Sequence, residues 1–141
     1  MTINDIRSAK KYKQTVLIVE DQLTVQRIHG AVIKRIPNVE GIPMQDPLEA
    51  LNWMKNRPVD LILTDYLMEN MNGVDFIKAA KLTKFGANTP IIVITANTKI
   101  EVHAQLYTAG ALIVLIKPRN PFELQKICED ILEDMRRAYL T

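Results

Sequence analysis

The residues of this sequence with most capacity for chemistry follow apolar segments, one segment after another. Asp65 ends the run LILTD, while Glu20 and Asp21 follow VLIV. Thr95 ends PIIVIT, and Lys117 ends LIVLIK. Three carboxylates placed together repel one another unless a cation compensates, and oxygen ligands without nearby His or Cys suit Mg²⁺. With a lysine and a hydroxyl as donors to an anion, this set predicts phosphoryl transfer in which a carboxylate is the nucleophile.

These residues can act together only if the segments before them are strands of one sheet. Apolar runs of strand length alternate with segments of helical periodicity, which is typical of a parallel sheet covered by helices on both faces. The predicted strands are 15–19, 39–44, 60–64, 90–95 and 111–116. Pro43 cannot donate a hydrogen bond within a sheet, so the second strand is predicted to lie at an edge.

Five predicted helices fill the remaining sequence. The first covers 23–36, with an apolar stripe formed by Val25, Ile28, Val32 and Ile36. The second begins at Asp46 and the fifth at Asn120, because each is followed by a proline and then a glutamate in the pattern of a helix N-terminus. The third and fourth cover 74–82 and 98–109, and the fifth runs to about residue 137.

The predicted fold class is therefore α/β: a (βα)5 unit with a doubly wound, parallel, five-stranded sheet. In an open sheet of this kind, ligands bind beyond the carboxyl ends of the strands. Every strand end named above brings its polar residue to that edge.

Composition limits what kind of protein this chain can be. It has 141 residues, 48% hydrophobic and 24% charged, which is enough for one domain with a sizeable core. The net charge of +2 favours neither nucleic acid nor a membrane as a partner. The longest apolar run, ALIVLI, is too short to span a bilayer, and no signal peptide is evident. A lone cysteine, Cys128, excludes an internal disulfide and predicts a cytoplasmic protein.

Five short motifs, in order and at matching spacing, give the chain a family resemblance. They are VLIVEDQ, LILTDYLMENMNG, PIIVITA, AGA and LIKP. The chain resembles the receiver domains of two-component response regulators, which accept a phosphoryl group from histidine kinases. The resemblance covers about 15–137, which leaves a basic N-terminal extension at 1–14 and a C-terminal end or start of a linker at 138–141. It implies the flavodoxin-like strand order 2-1-3-4-5 and a signalling domain rather than an enzyme, one that only assists its own phosphorylation and dephosphorylation.

The resemblance also implies a role for each site residue. Asp65 would accept the phosphoryl group from a kinase phosphohistidine. Asp21 and Asp65 would bind Mg²⁺ or Mn²⁺ together with the backbone carbonyl of Leu67, while Glu20 would act through a metal-bound water. Lys117 would pair with the phosphoryl oxygens.

On the other side of the site, the resemblance implies that the Thr95 hydroxyl turns onto the phosphoryl group and that small Ala96 leaves room for a backbone N–H contact. It also implies a cis peptide bond before Pro118, since proline permits one.

Three positions depart from the family pattern or tune it. Val114 stands three residues before Lys117, where many receivers have an aromatic ring that turns inward, and a valine cannot make that movement. The alternatives are compensation by Tyr107 or a shift of the loop after the fourth strand. Leu67 and Asn97 flank the path of a hydrolytic water, and an apolar Leu67 predicts slow loss of the phosphoryl group.

Partners follow from the resemblance as well. The expected ones are a histidine kinase or phosphotransfer protein and a downstream protein or attached output domain, for instance a cyclic-di-GMP phosphodiesterase. A homodimer through the fourth helix, fifth strand and fifth helix would use Leu112 and Ile113, unless these residues simply pack in the core. A further alternative is a pseudo-receiver scaffold that has lost phosphorylation. The two histidines, His29 and His103, are predicted to be ordinary surface or boundary residues.

Overall fold

A computed structural model describes residues 12–117 and 120–140, with side chains described up to 138. Five parallel strands form one sheet in the order β2-β1-β3-β4-β5. The strands are β1 Gln14–Val19, β2 Val39–Met44, β3 Leu61–Thr64, β4 Ile91–Thr95 and β5 Ile113–Ile116. This confirms the predicted fold class and strand order. Most of the basic extension and the bond before Pro118 lie outside the described residues.

Five helices connect and follow the strands. They are α1 Leu23–Lys34, α2 Pro47–Asn56, α3 Gly73–Lys81, α4 Ile100–Ala109 and α5 Pro121–Leu140. The two predicted helix starts are present: Asp46 Oδ1 accepts the N–H of Leu48 at 2.9 Å, and Asn120 Oδ1 accepts that of Phe122 at 2.8 Å. Within the described part of the chain, no helix combines the length and apolar character needed to cross a membrane.

The helices cover both faces of the sheet, and each face has its own buried core. Residues that alternate along each central strand point to opposite faces, so Leu17 and Val19 belong to one core while Val16 and Ile18 belong to the other. Helices α2, α3 and α4 pack on the first face, and α1 and α5 on the second. Cys128 of α5 is fully buried in the second core, and burial raises the pKa of its thiol to about 12.

Helix α1 is rotated relative to the predicted apolar stripe. Its buried residues are Gln26, His29, Val32 and Ile33. Val32 and Ile36 are buried as predicted, but Ile28 is 50% exposed, and His29, predicted to be a surface or boundary residue, is buried. A hydrogen bond accounts for this orientation of α1. Gln26 Nε2 donates to the carbonyl oxygen of Glu20 at 3.1 Å, so this side of the helix faces the end of β1.

The two edges of the sheet differ in character. Edge strand β2 holds Pro43, as predicted, and Pro43 is exposed. Edge strand β5 begins at Ile113, two residues later than predicted. Leu112 is about half exposed, whereas Ile113 is partly buried against the second core, so Leu112 is the more exposed of the two.

Candidate functional site

Asp65 lies at the carboxyl end of β3 and is almost fully buried, at 8% exposure. Its Oδ1 accepts the N–H of Tyr66 at 2.6 Å, and its Oδ2 lies 2.7 Å from the Nζ of Lys117. The strand that delivers it is buried at all of its four residues, so the carboxylate has a rigid support. One oxygen is therefore held by the backbone and the other by an ammonium group.

Lys117 follows β5 and is held by a backbone hydrogen bond to the end of β4. Its backbone N–H donates to the carbonyl of Thr95 at 2.8 Å, just beyond the end of β5. Its Nζ reaches two carboxylates, Asp65 at 2.7 Å and Glu20 at 3.1 Å. Burial lowers the pKa of the Lys117 ammonium group, but the hydrogen bonds that Lys117 donates to Asp65 and Glu20, with the charges of these carboxylates, outweigh burial and raise this pKa.

Glu20 and Asp21 at the end of β1 occupy different environments. Glu20 is 2% exposed, and burial raises the pKa of its carboxyl group although the hydrogen bond from Lys117 acts in the opposite direction. The pKa values of Glu20 and Lys117 are therefore both raised. Burial dominates at Glu20, which is the more deeply buried of the pair, whereas the contacts with carboxylates dominate at Lys117. Asp21 is partly exposed, and its Oδ2 accepts the N–H of Glu69 at 3.0 Å from the loop after β3.

The end of β4 supplies a hydroxyl to the same edge of the sheet. Thr95 is 2% exposed, and its Oγ1 accepts the N–H of Asn97 at 3.1 Å. Ala96 is exposed, and its small side chain leaves this rim open. Asn97 is partly buried in the loop that leads to α4.

The loop between β3 and α3 closes on itself beside Asp65. The N–H of Gly73 donates to the carbonyl of Tyr66 at 2.6 Å. A Cβ at Gly73 would lie 2.9 Å from the Cα of Tyr66 and 3.0 Å from the carbonyl oxygen of Asp65, so the backbone approaches too closely for any side chain. Leu67 projects from this loop at 74% exposure.

The structure therefore brings Glu20, Asp65 and Lys117 into direct contact, with Asp21 and Thr95 along the same edge. Leu67 and Asn97 lie on the two flanking loops. Val114 is outside this group, since it packs against the first core from β5.

The polar groups at this edge have the chemistry of a divalent cation site, although their side chains are not gathered around one point. Lys117 bridges Glu20 and Asp65 while Asp21 faces the loop, so no group of three acidic, His or Cys side chains within the described residues is gathered around one point. Chemically the set does fit, because three carboxylates oppose one ammonium group and all the donors are oxygen. Hard oxygen donors with surplus negative charge suit Mg²⁺ or Mn²⁺.

Some contributors were missed from the sequence. The N–H groups of Tyr66 and Glu69 hold two of the carboxylates, and no residue type signals a backbone donor. His29 was also missed: burial, with a smaller effect from the charge of Lys117, lowers the pKa of its imidazole to about 4 against the opposing effect of Asp65. His29 is therefore neutral, and it lines a cavity of about 410 Å³ between α1 and α5 that opens beside Lys117.

Comparison with known proteins identifies this arrangement. Residues 16–129 match the family model described as the response regulator receiver domain. The chain belongs to this family. A receiver domain is a signalling module of two-component systems. In this chain it consists of the five-stranded sheet and the polar edge described above.

Two known proteins illustrate the relatives of this chain. The receiver domain is 33% identical over 119 residues to a cyclic di-GMP phosphodiesterase response regulator, RpfG, of Xanthomonas campestris. It is 31% identical over 119 residues to a chemotaxis protein CheY homolog of Campylobacter jejuni. These alignments cover 84% and 83% of the chain. The chain spans 32% of the first relative's length and 91% of the second's.

A solved structure shows a metal ion in the corresponding fold. The receiver domain of the sensor histidine kinase PA1611 from Pseudomonas aeruginosa was crystallised with a magnesium ion coordinated in its active site cleft. It has a TM-score of 0.76 and 25% identity, over 85% of the present chain and 98% of that chain.

Proposed function

We propose that Asp65 accepts a phosphoryl group from the phosphohistidine of a histidine kinase or phosphotransfer protein, in a reaction that requires Mg²⁺ or Mn²⁺. The observation that carries this proposal is the Asp65 carboxylate, buried at the end of β3 with its Oδ2 2.7 Å from Lys117 Nζ. Buried charged pairs are weak sources of stability, because desolvation offsets their attraction. A role for Asp65 as the phosphoryl acceptor would explain why this buried charged pair is present despite its desolvation cost.

The transfer conserves every atom and electron pair. An oxygen of the Asp65 carboxylate attacks phosphorus, an O–P bond forms, and the N–P bond to the donor histidine breaks. The electron pair of the broken bond stays on the imidazole nitrogen. Lys117 neutralises charge on the phosphoryl oxygens, and the Thr95 hydroxyl and the N–H of Ala96 donate to them.

The metal would be held by this chain's oxygen donors. Asp21 and Asp65 would be its direct ligands together with the carbonyl of Leu67, and Glu20 would act through a water. When bound, the cation supplies positive charge that offsets the phosphoryl oxygens. The three carboxylates Glu20, Asp21 and Asp65 support this assignment, because Lys117 is the one cation in contact with Glu20 and Asp65 among the described residues.

A phosphodonor protein must approach Asp65 across the exposed rim of the site. The cavity between α1 and α5 opens at Lys117 and is lined mainly by apolar residues, among them Val25 and Leu124. Ile28 also lines it and is half exposed. We assign this apolar surface to the phosphodonor because it adjoins the reacting carboxylate.

Acetyl phosphate provides the test of Asp65. With acetyl phosphate and MgCl₂, intact-protein mass spectrometry should show one added phosphoryl group on the wild-type chain and none on Asp65→Asn. The matched control is Asp46→Asn, which makes the same change at an exposed helix N-terminus where asparagine caps equally well. That control should be phosphorylated like wild type.

If wild type gains no phosphoryl group while its fold and Mg²⁺ concentration are adequate, the phosphoacceptor proposal is wrong. The chain would then be a pseudo-receiver that acts through its surface alone. A phosphoryl group that persists on Asp65→Asn would instead place the acceptor at another residue.

Leu67 is predicted to set the lifetime of the phosphoryl group. Its side chain is exposed beside the site and has no polar atom to orient an attacking water. Leu67→Asn should therefore accelerate dephosphorylation by roughly tenfold, less than the hundredfold or more that a general acid or base typically contributes, because an amide only orients the water. The measurement is the decay of phosphorylated protein after removal of acetyl phosphate, with Leu82→Asn, at another highly exposed leucine, as the control. Equal decay rates for all three proteins would contradict the prediction.

A second candidate function is regulation of an attached enzyme. The RpfG relative is named as a cyclic di-GMP phosphodiesterase response regulator, and this chain matches about a third of its length. In that setting the receiver domain would control an output domain such as a phosphodiesterase. The reading frame beyond Thr141 decides between this function and that of a stand-alone receiver.

The output surface is proposed to be the face of α4, β5 and α5. Leu112 and Ile116 expose roughly half of their side chains there. Apolar exposure next to an edge strand suits contact with a downstream protein or a second copy of the chain. Ile113 contributes less to this surface, because it is partly buried against the second core.

A further inference from the structure

A path of hydrogen bonds leads from Thr95 in the site to the outer edge of the sheet. Asn97 is its junction: its N–H donates to Thr95 Oγ1 at 3.1 Å, and its Oδ1 accepts the N–H of Lys99 at 2.9 Å. The carbonyl oxygen of Asn97 lies 2.6 Å from Nε2 of His103. Because a carbonyl oxygen can only accept, this contact places a hydrogen on Nε2 of His103. One asparagine thus joins the site to α4.

The path continues along α4 to β5. Tyr107 lies four residues after His103, on the same side of the helix. Its hydroxyl oxygen accepts the N–H of Val114 at 3.0 Å. β5 is an edge strand of the sheet, and the N–H of Val114 is directed to the Tyr107 hydroxyl. Tyr107 thereby satisfies a backbone N–H of the edge strand.

Helix α4 is well suited to respond to its end contacts. Leu106 is its one buried residue, whereas α1 and α3 each bury four. Its N-cap residue, Lys99, makes no side-chain capping bond. With so little apolar burial, the position of α4 depends strongly on the polar bonds at Asn97 and Val114.

We propose that His103 and Tyr107 are positioning residues that transmit the state of Asp65 to the edge of β5. In the structure, the Thr95 hydroxyl accepts a hydrogen bond from Asn97, and the carbonyl of Asn97 accepts one from His103. The Tyr107 hydroxyl accepts one from the N–H of Val114. When Thr95 turns to a phosphoryl group on Asp65, its Oγ1 no longer accepts from Asn97. The loop and α4 then move, and the N–H of Val114 is released at the sheet edge.

This inference rests on the proposed phosphorylation of Asp65, so the two are measured on the same samples. Amide hydrogen exchange at Val114 is followed by NMR with and without acetyl phosphate and MgCl₂, and phosphoryl incorporation is followed by mass spectrometry. Loss of one hydrogen bond should accelerate exchange about five- to tenfold. In wild type, phosphorylation should produce this acceleration at Val114.

Three variants separate the steps of the path. Tyr107→Phe removes one hydroxyl from a half-exposed ring, and Val114 should then exchange quickly in both states. His103→Leu should be phosphorylated normally but should no longer accelerate exchange at Val114, whereas His103→Gln, which keeps a donor, should restore part of the response. Tyr12→Phe removes a hydroxyl that bonds to Asp60 at a separate position in the fold, and it should behave as wild type.

The outcomes distinguish the two proposals. If wild type gains no phosphoryl group, the assignment of Asp65 fails and the relay fails with it. If wild type is phosphorylated but exchange at Val114 does not change, the assignment of Asp65 stands and the relay is wrong. A full response in His103→Leu also overturns the relay, because the signal would then bypass α4.

Discussion

Replacing Lys117 with methionine should lower the free energy of unfolding by about 3–5 kcal/mol at neutral pH, the usual cost of removing one partner from a buried ion pair. The side chains of Lys117, Glu20 and Asp65 are only 19%, 2% and 10% exposed. Without the ammonium group, two carboxylates remain buried 2.7 and 3.1 Å from where the charge was. Methionine keeps most of the apolar length of the side chain, so the change isolates the charge.

The loss should depend on pH in a defined direction. Burial raises the pKa of Glu20 in the folded protein. The contribution of Glu20 to the free energy of unfolding is therefore highest below pH 4.5, the unfolded pKa of Glu20, and it falls as pH rises through the pKa of Glu20 in the folded state. Removing Lys117 removes the influence that lowers this pKa, and the penalty above pH 4.5 grows. The deficit of Lys117→Met should therefore be smallest near pH 4.5 and largest at neutral pH. In wild type, the raised pKa of Lys117 maintains its own contribution below 10.5, and that contribution is lost as pH rises through the folded value.

Urea unfolding at pH 4.5 and 7.5 measures this effect. Lys126→Met is the matched control, since Lys126 forms an ion pair with Asp130 in which both side chains are mostly exposed. Its unfolding midpoint should not change, because exposed pairs contribute little. Equal midpoints for the two lysine variants at pH 7.5 would show that the buried triad lacks the charge balance described here.

The second large effect is a difference in stability between two glycine-to-alanine variants. Gly73→Ala should destabilise the protein by roughly 1–3 kcal/mol, because its Cβ would meet backbone atoms of Tyr66 and Asp65 at 2.9 and 3.0 Å. Gly30→Ala should stabilise it by about 0.5–1 kcal/mol. Gly30 lies inside α1, and the nearest atom to an added Cβ there, from Ile18, is 3.9 Å away.

Activity should separate the same two variants. A displaced loop moves Asp65 and the carbonyl of Leu67, and misplacement near 1 Å can cost a reaction about a hundredfold. Gly73→Ala should therefore be phosphorylated by acetyl phosphate at least tenfold more slowly, whereas Gly30→Ala should match wild type. A Gly73→Ala protein with normal stability and a normal rate would mean that the loop does not require the close approach at this position.

Much of this structure was predictable because the information is local in the chain. Apolar runs of strand length defined the sheet, and Asp65 and Thr95 followed from the rule that parallel strands deliver their last residues to one edge. The edge position of β2 followed from Pro43 alone. The starts of α2 and α5 were predicted from Asp46 and Asn120, whose side chains do accept from the first turns.

What the sequence concealed depends on tertiary partners. Gln26 is buried because its amide reaches the carbonyl of Glu20, and a polar residue on a helix does not reveal such a partner. The same rotation buries His29 and exposes Ile28. Backbone donors, such as the N–H of Glu69 beside Asp21, are present at every position except proline, so no pattern singles them out.

Cys128 makes the receiver domain convenient for spectroscopy. It is the single cysteine of the chain, it is fully buried, and its pKa of about 12 keeps the sulfur as a thiol at neutral pH. Maleimides and iodoacetamides react with accessible thiolates, so they should leave this sulfur untouched in the folded protein. A cysteine introduced at exposed Leu112 could then carry a fluorophore or spin label by itself, with no need to remove Cys128 from the core.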